Sequence, residues 1–384
     1  MICVCWTPRQ LVVTYGLEYR ESARRFLREI EAFGYREEME LISFLEGAKV
    51  NVSRLHDTKF NFTSSLVRVP EGQELYALSF IATHAPKGLL MSVEPNLVYS
   101  VSAVYGATRF QFDPQIQTDY RNLVNAPTAH KKGIRGAGVL VACLDTGIES
   151  AGQTVRHGIN FIRRGSPADD DNGHGTCVAS IINDVAPDVD ILPVKIADSS
   201  GFSDLWLLEA GILAAATEHA HVTNISMAYG VGSPRCPKCG YWFSGSGPSV
   251  RSFVLDRSVE TQSQGGFVVA STGNDGNKNA IAYPAACPDA IAVAAVNRLK
   301  QVAAFSNEDP KKQYYTAPGG DGQITGSPTE YVGTDNQTKK RFAGTSMAAA
   351  YAAGVIALLL EQANKNAAPY RSVKGALKSP ISFQ

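Results

Sequence analysis

The stretch that decides the fold is GAGVLVACLDTG, Gly136–Gly147. Six successive apolar residues, Val139–Leu144, end on Asp145 between glycine-rich flanks. A short run of this kind, with no polar alternation, reads as a strand buried on both faces. The same pattern recurs in DVDILPVKIA (188–197), HVTNISMAYG (221–230), GGFVVASTGND (265–275) and AIAVAAV (290–296). Between them DLWLLEAGILAAATEHA, Asp204–Ala220, reads as a helix with Asp204 at its start. Strands alternating with helices predict an α/β domain of three layers around a mostly parallel sheet. In such sheets ligands gather at the C-terminal ends of the strands, which is where Asp145, Ser226 and Asn274 fall.

Upstream the pattern is different. RQLVVTYG (9–16) reads as a strand, and YRESARRFLREIEAFG (19–34) as an amphipathic helix stopped by Gly34. EMELISFL (38–45) and ELYALSFIATH (74–84) read as further strands, and EPNLVYSVSAV (94–104) as an extended tail. Two regions are expected: a small α+β domain over 1–105 and the α/β domain over 106–384.

Composition narrows the function. The 384 residues are 44% apolar and 19% charged, as in a globular protein, and 36 Lys and Arg balance 36 Asp and Glu. No basic cluster marks a nucleic-acid surface. The apolar runs look too short to cross a bilayer, so no membrane is expected. No basic stretch precedes a long apolar segment at the N-terminus, and the seven cysteines are scattered. These features predict a reducing, cytoplasmic setting, or secretion if the N-terminus is truncated.

Ser346, in FAGTSMAAAYAAGVIALLL (342–360), stands at the mouth of an apolar helix, where a hydroxyl ordinarily serves as an N-cap. It can also serve as a nucleophile if a base and a group orienting that base accompany it. His174, in DDDNGHGTCVASII (169–182), and Asp145 are the candidates, and Asp…His…Ser is one of the orders in which such triads occur.

LDTGI, GHGTCVA, NIS, STGNDG and GTSMA, in this order on an α/β pattern, resemble the subtilisin-like serine proteases over about residues 125–378. The resemblance implies a serine endopeptidase with Ser346 as nucleophile, His174 as general base and then acid, and Asp145 as its orienting carboxylate. Asn274 would supply the oxyanion amide together with the backbone N–H of Ser346. Ser226, Met227 and Ala228 would pair with the substrate backbone. Ala270, Ser271 and Thr272 would wall the S1 pocket above Ala282, where the family often has glycine. The region over 1–105 would be a pro-domain that assists folding and fills the cleft with its tail, VEPNLVYSVSAVYG (93–106). Self-cleavage is then expected between Tyr99 and Phe112, near Tyr105. Peptide or protein substrates, the chain's own pro-domain as partner and a monomeric state are expected. The alternative is a catalytically idle fold, permanently capped, that acts as a binding or regulatory module.

Some positions depart from the family's pattern. Only IND separates GHGTCVASI from VAPDVDILPVK, where many relatives have a longer calcium-binding loop, so calcium is not expected at that site while other calcium sites stay open, and no cofactor is expected. The insertion GSPRCPKCGYWFSGSG (232–247) carries Cys236 and Cys239 at C-x-x-C spacing; free thiols, a disulfide and half a zinc site all remain open. Tyr241–Phe243 could border the non-prime cleft. Cys177 reads as a small buried hydrophobe or a reactive neighbour of the base, and Ala350 stands where relatives usually have proline. The acidic run Asp169–Asp171 is either a solvated loop or an S2 rim that favours basic side chains.

Overall fold

The computed structural model describes residues 6–57, 60–101, 104–105, 120–149, 155–229, 251–321, 342–366, 368 and 371–383. The N-terminal region contains β1 (Trp6–Gly16), α1 (Arg20–Glu29), β2 (Arg36–Glu40), α2 (Leu41–Gly47), β3 (Phe62–Arg68), α3 (Glu74–His84), β4 (Leu90–Val101) and β5 (Val104–Tyr105). Then come α4 (Ala126–Lys131), β6 (Leu140–Asp145), β7 (Ile159–Asn160), α5 (His174–Val185), β8 (Asp190–Lys195), β9 (Phe202–Asp204), α6 (Leu205–Thr217), β10 (Val222–Ile225) and β11 (Met227–Tyr229). The remainder is α7 (Phe253–Ser263), β12 (Phe267–Ser271), β13 (Ala290–Val296), β14 (Tyr315–Pro318), β15 (Phe342–Ala343), α8 (Thr345–Lys365) and α9 (Arg371–Ala376).

The C-terminal region is the expected three-layer α/β domain. Its seven-stranded sheet has the order β14-β13-β12-β10-β6-β8-β7, and the pairings are parallel. Alternate residues of β6 supply the two faces. Val141 and Cys143 face α5 and α8, while Leu140, Ala142 and Leu144 face α6. Both faces are therefore dry, as the unbroken apolar run requires. By length and composition α8 could cross a membrane, but 94% of its apolar window is buried inside the protein, so it is the core helix of this domain. It runs unbroken through Ala350.

The N-terminal region forms a second, antiparallel sheet in the order β11-β4-β1-β3-β2, with β9 also paired to β4. One face, carrying Leu11, Val13 and Tyr15 of β1, packs on Ala23, Phe26 and Leu27 of α1 and Ala77 and Ile81 of α3. The other face joins the cluster that holds Leu205, Trp206, Leu208 and Ile212 of α6. β1 is thus buried from both sides.

Three strand expectations are corrected. Residues 74–84 form α3, because Ala77 and Ile81, one helical turn apart, bury together while Leu75 and Tyr76 point to solvent. Residues 38–45 change from strand to helix at Leu41, where Leu41, Phe44 and Leu45 take the i, i+3, i+4 spacing of a helical face. The segment 221–230, read as one strand, splits at Ser226. β10 stays in the parallel sheet, and β11 crosses to the antiparallel one.

Candidate active site

The carboxyl ends of the parallel strands meet the N-termini of α5 and α8. β6 delivers Asp145, fully buried, and α5 begins with His174, also fully buried. His174 Nδ1 lies 2.7 Å from Asp145 Oδ1, which also accepts from the Thr146 N–H at 2.8 Å. The imidazole stands edge-on to Phe342, with ring centres 5.6 Å apart. Its Nε2 is buried without a hydrogen-bond partner. A side chain at Gly175 would bring Cβ to 2.1 Å from the Gly147 carbonyl oxygen, so only glycine lets the helix start come this close to the Asp145 strand.

The acidic run before His174 is mostly an internal scaffold. The Asp170 carboxylate accepts from Thr146 Oγ1, from the N–H groups of Asn172, Gly173 and Thr176, and from Thr176 Oγ1. Burial alone would raise its pKa, but these bonds outweigh it and hold the carboxyl below the usual range. Asp171 meets the buried ammonium of Lys195 at 2.6 Å, and Lys195 also donates to the Thr146 carbonyl. The three-acid run thus carries one neutralised charge and one internal acceptor, with Asp169 exposed.

Ser346 is the second residue of α8 and is fully buried. Its Oγ donates to the Ser226 carbonyl at 3.1 Å, and Ser226 Oγ donates back to the Ser346 carbonyl at 3.1 Å. Asn224 Nδ2 donates in turn to Ser226 Oγ. Asn274 follows β12 in the loop at the same end of the sheet. Its Oδ1 accepts from both the N–H and the hydroxyl of Thr345, each at 3.0 Å, while its Nδ2 is buried and unpartnered. A buried amide N–H₂ with no acceptor is costly unless an acceptor arrives in function.

The structure therefore brings Asp145, His174, Ser346, Ser226 and Asn274 to one end of the parallel sheet. Ala228 packs against Ala282, and Ser271 Oγ reaches the Met227 carbonyl at 3.5 Å, so the residues expected around a pocket adjoin. Ala270 is buried in the core of the sheet and Thr272 bonds by its N–H to Val293. Cys236, Cys239 and Tyr241–Phe243 lie outside the described residues. Among the described residues no group of three His, Cys, Asp or Glu could hold a metal ion. Cys143, Cys177 and Cys287 are buried and form no disulfide among the described residues. Thr345, which orients Asn274, was not singled out by the sequence, although its place beside Ser346 was the available signal.

β4 ends in this cleft. Val98–Ser100 pair antiparallel with Phe202–Asp204 of β9, and Tyr99–Val101 pair antiparallel with Met227–Tyr229 of β11. The chain's own segment is thus the middle strand of three. Beyond it, Val104 and Tyr105 pair with Ala343 and Phe342. Tyr99 is fully buried, with its ring centre 5.8 Å from that of Tyr229.

Known proteins resemble this chain in sequence and in fold. The sequence model of the subtilase family (Peptidase_S8) matches residues 136–380. M-protease from Shouchella clausii (strain KSM-K16) is 28% identical over 358 residues, spanning 90% of this chain and 80% of its own. Subtilisin Savinase from Lederbergia lenta is 33% identical over 250 residues, spanning 62% of this chain and 82% of its own. A crystal structure of a lanthipeptide protease superposes with a TM-score of 0.58 at 22% identity, covering 72% of this chain and 90% of the other, and shares the fold.

Proposed function

Since the chain belongs to the subtilase family of serine proteases, we propose that it is a serine endopeptidase made as a self-processing zymogen. The observation that carries this reading is the Asp145–His174 bond of 2.7 Å beside a buried serine and a buried, unpartnered amide donor.

In the proposed mechanism the Ser346 hydroxyl turns from the Ser226 carbonyl to His174 Nε2 and attacks the peptide carbonyl carbon. Nε2 takes the proton, and Asp145 Oδ1 holds Nδ1–H so that the free nitrogen faces the serine. Negative charge grows on the carbonyl oxygen. Asn274 Nδ2 and the Ser346 N–H meet it at the N-terminus of α8, whose dipole favours an anion. The protonated imidazole then gives its proton to the leaving amine, and water repeats the sequence to release the acyl group. The Asn274 Oδ1 bonds to Thr345 aim the Nδ2 donor before any substrate arrives, so no reorganisation is required during attack.

The N-terminal region acts as inhibitor and folding aid in this reading. Glu94 of β4 accepts from Ser252 Oγ and the Val254 N–H at the start of α7, and Asn96 Oδ1 accepts from the Trp206 N–H at the start of α6. Each satisfies donors that a helix start leaves open. The pairings also point to the bond cut. Met227 pairs with Val101, and the carbonyl of the neighbouring Ser226 touches Ser346 Oγ. Ala343 pairs with Val104 on the other side. We therefore assign the scissile bond to the stretch between Val101 and Val104, inside the expected window and upstream of Tyr105.

Intact mass followed over time tests this. The wild-type chain is expected to split into two fragments at a bond between Val101 and Val104, while Ser346→Ala stays whole. If both stay whole, the N-terminal region is a permanent cap and the idle module is the better reading.

A further inference from the structure

The donor that would meet the developing oxyanion sits on a loop without regular structure, Gly273–Asn277. A donor of this kind works within a narrow range, about 2.7–3.1 Å from the oxygen, so whatever fixes the loop fixes the rate. One residue from outside the loop makes four of the connections, three of them through its side chain. Asn307 is 2% exposed, and its Oδ1 accepts from the N–H groups of both Asp275 and Asn277, each at 3.0 Å. Its Nδ2 donates to Asp275 Oδ2 at 2.9 Å, and its backbone N–H donates to the Gly273 carbonyl at 3.0 Å.

Asn307 thus ties down the residues on both sides of Asn274. The residues flanking Asn307 continue the same template. Gly276 donates to the Phe305 carbonyl at 2.6 Å, and Glu308 donates to the Asn277 carbonyl at 2.7 Å. The loop is shaped to fit. Gly273 has φ +101°, and a Cβ there would lie 2.4 Å from Asn307 Nδ2. The Asn274 side chain is then left to two demands: Oδ1 to Thr345 and Nδ2 to the cleft.

We propose that Asn307 is a positioning residue for the oxyanion amide, holding the Gly273–Asn277 backbone in the one course from which Asn274 Nδ2 faces the reacting carbonyl. The inference rests on the serine-protease reading of the site. Asn307 touches neither Ser346 nor His174 by any of these bonds, so it acts on the reaction through Asn274. Serine at 307 is too short to reach two backbone N–H groups and the Asp275 carboxylate together. The loop would relax, and a misplacement of about 1 Å can cost on the order of 10²-fold in rate.

The test is a double-mutant cycle on the processed enzyme, with kcat and KM measured on a chromogenic tetrapeptide anilide. The variants are Asn307→Ser, Asn274→Ala and the pair together, and thermal melts follow their folding. Asn307→Ser is expected to lower kcat about 10- to 100-fold with KM within about twofold of wild type. In the Asn274→Ala background it should cost less than about twofold more, because the donor it positions is gone. An equal loss in both backgrounds, a change confined to KM, or no loss at all overturns the inference while leaving the protease reading intact. If Asn307→Ser does not fold, Asn307→Asp goes through the same cycle. It keeps the size and the Oδ1 acceptor but loses the donor to Asp275, and the same non-additivity is expected. A wild-type enzyme that neither hydrolyses peptides nor labels at Ser346 overturns both readings.

Discussion

Asp145 Oδ1 and His174 Nδ1 stand 2.7 Å apart with both side chains fully shielded from water. The bond leaves Nε2 of the imidazole as the one ring nitrogen turned to the cleft, where it has no partner. Asp145→Asn would preserve the shape and reverse the tautomer, presenting N–H where a base is needed. Its expected effect is a loss of about 10⁴ in kcat with little change in melting temperature. Steady-state kinetics beside a thermal melt check it.

In the proposed mechanism Asn274→Ala removes the amide donor but not the nucleophile. Losing one such donor costs about 10²–10³ in kcat, a magnitude taken from subtilisin rather than from this chain. KM should hardly move, and fluorophosphonate labelling of Ser346 should persist at a reduced rate. A change in KM alone would place Asn274 in ground-state binding.

Glu209 makes the join between the two regions sensitive to pH. This carboxyl of α6 is fully buried and accepts from Ser64 Oγ of β3 at 2.9 Å, while Oε2 has no partner. Ser64 Oγ also bonds Thr14 Oγ1 of β1 at 3.0 Å, and Glu94 of β4 is the charged group that acts on it. Burial pushes its pKa up to about 8, against the lowering effect of Ser64 and with a further push from Glu94. An exposed carboxyl gives up its proton near pH 4.5, so the unfolded or undocked state is favoured increasingly between about 4.5 and 8. In the Ser346→Ala background, Glu209→Gln should gain stability relative to its parent across that window, on the order of a few kcal/mol, and level off above it. Melting curves from pH 4 to 9 read the difference directly. Curves that stay parallel throughout would remove Glu209 from this role.

The acidic rim of the cleft should not select basic side chains. Asp170 is spent on internal bonds and Asp171 is neutralised by Lys195, which leaves exposed Asp169 as the one uncompensated charge of the run. A peptide library is expected to show no Lys or Arg enrichment at P2. Asp171→Asn should cost about 1–3 kcal/mol, more than an ordinary surface carboxylate, because the buried Lys195 ammonium loses its counter-ion.

The parallel sheet and the residues gathered at the candidate site were legible in the sequence because both are written locally. Val139–Asp145 declares a two-face buried strand by its own composition, and Ala290–Val296 forms a strand over the span that its apolar run marks out. Asp145, His174, Asn274 and Ser346 each sit in a short glycine-bearing motif at an element boundary, so their residue types survive a linear reading. The N-terminal region was less legible. Leu75–Ile81 carry apolar groups on several sides, a pattern that fits a strand or a helix until the packing partner is known. The turn of the chain at Ser226 from one sheet to another, and the Ser64–Glu209 contact across 145 residues, are long-range facts with no local signal. Asn307 was likewise invisible, since its four bonds go to a loop 30 or more residues upstream.

The most direct test of the central claim is fluorophosphonate labelling followed by peptide mapping, performed on the wild-type chain and on His174→Ala after the N-terminal domain has been removed. The account predicts a single covalent adduct on Ser346 in the wild type and a label reduced by orders of magnitude in His174→Ala, because the base that takes the hydroxyl proton is gone. Equal labelling of both proteins, or an adduct on any residue other than Ser346, would contradict it.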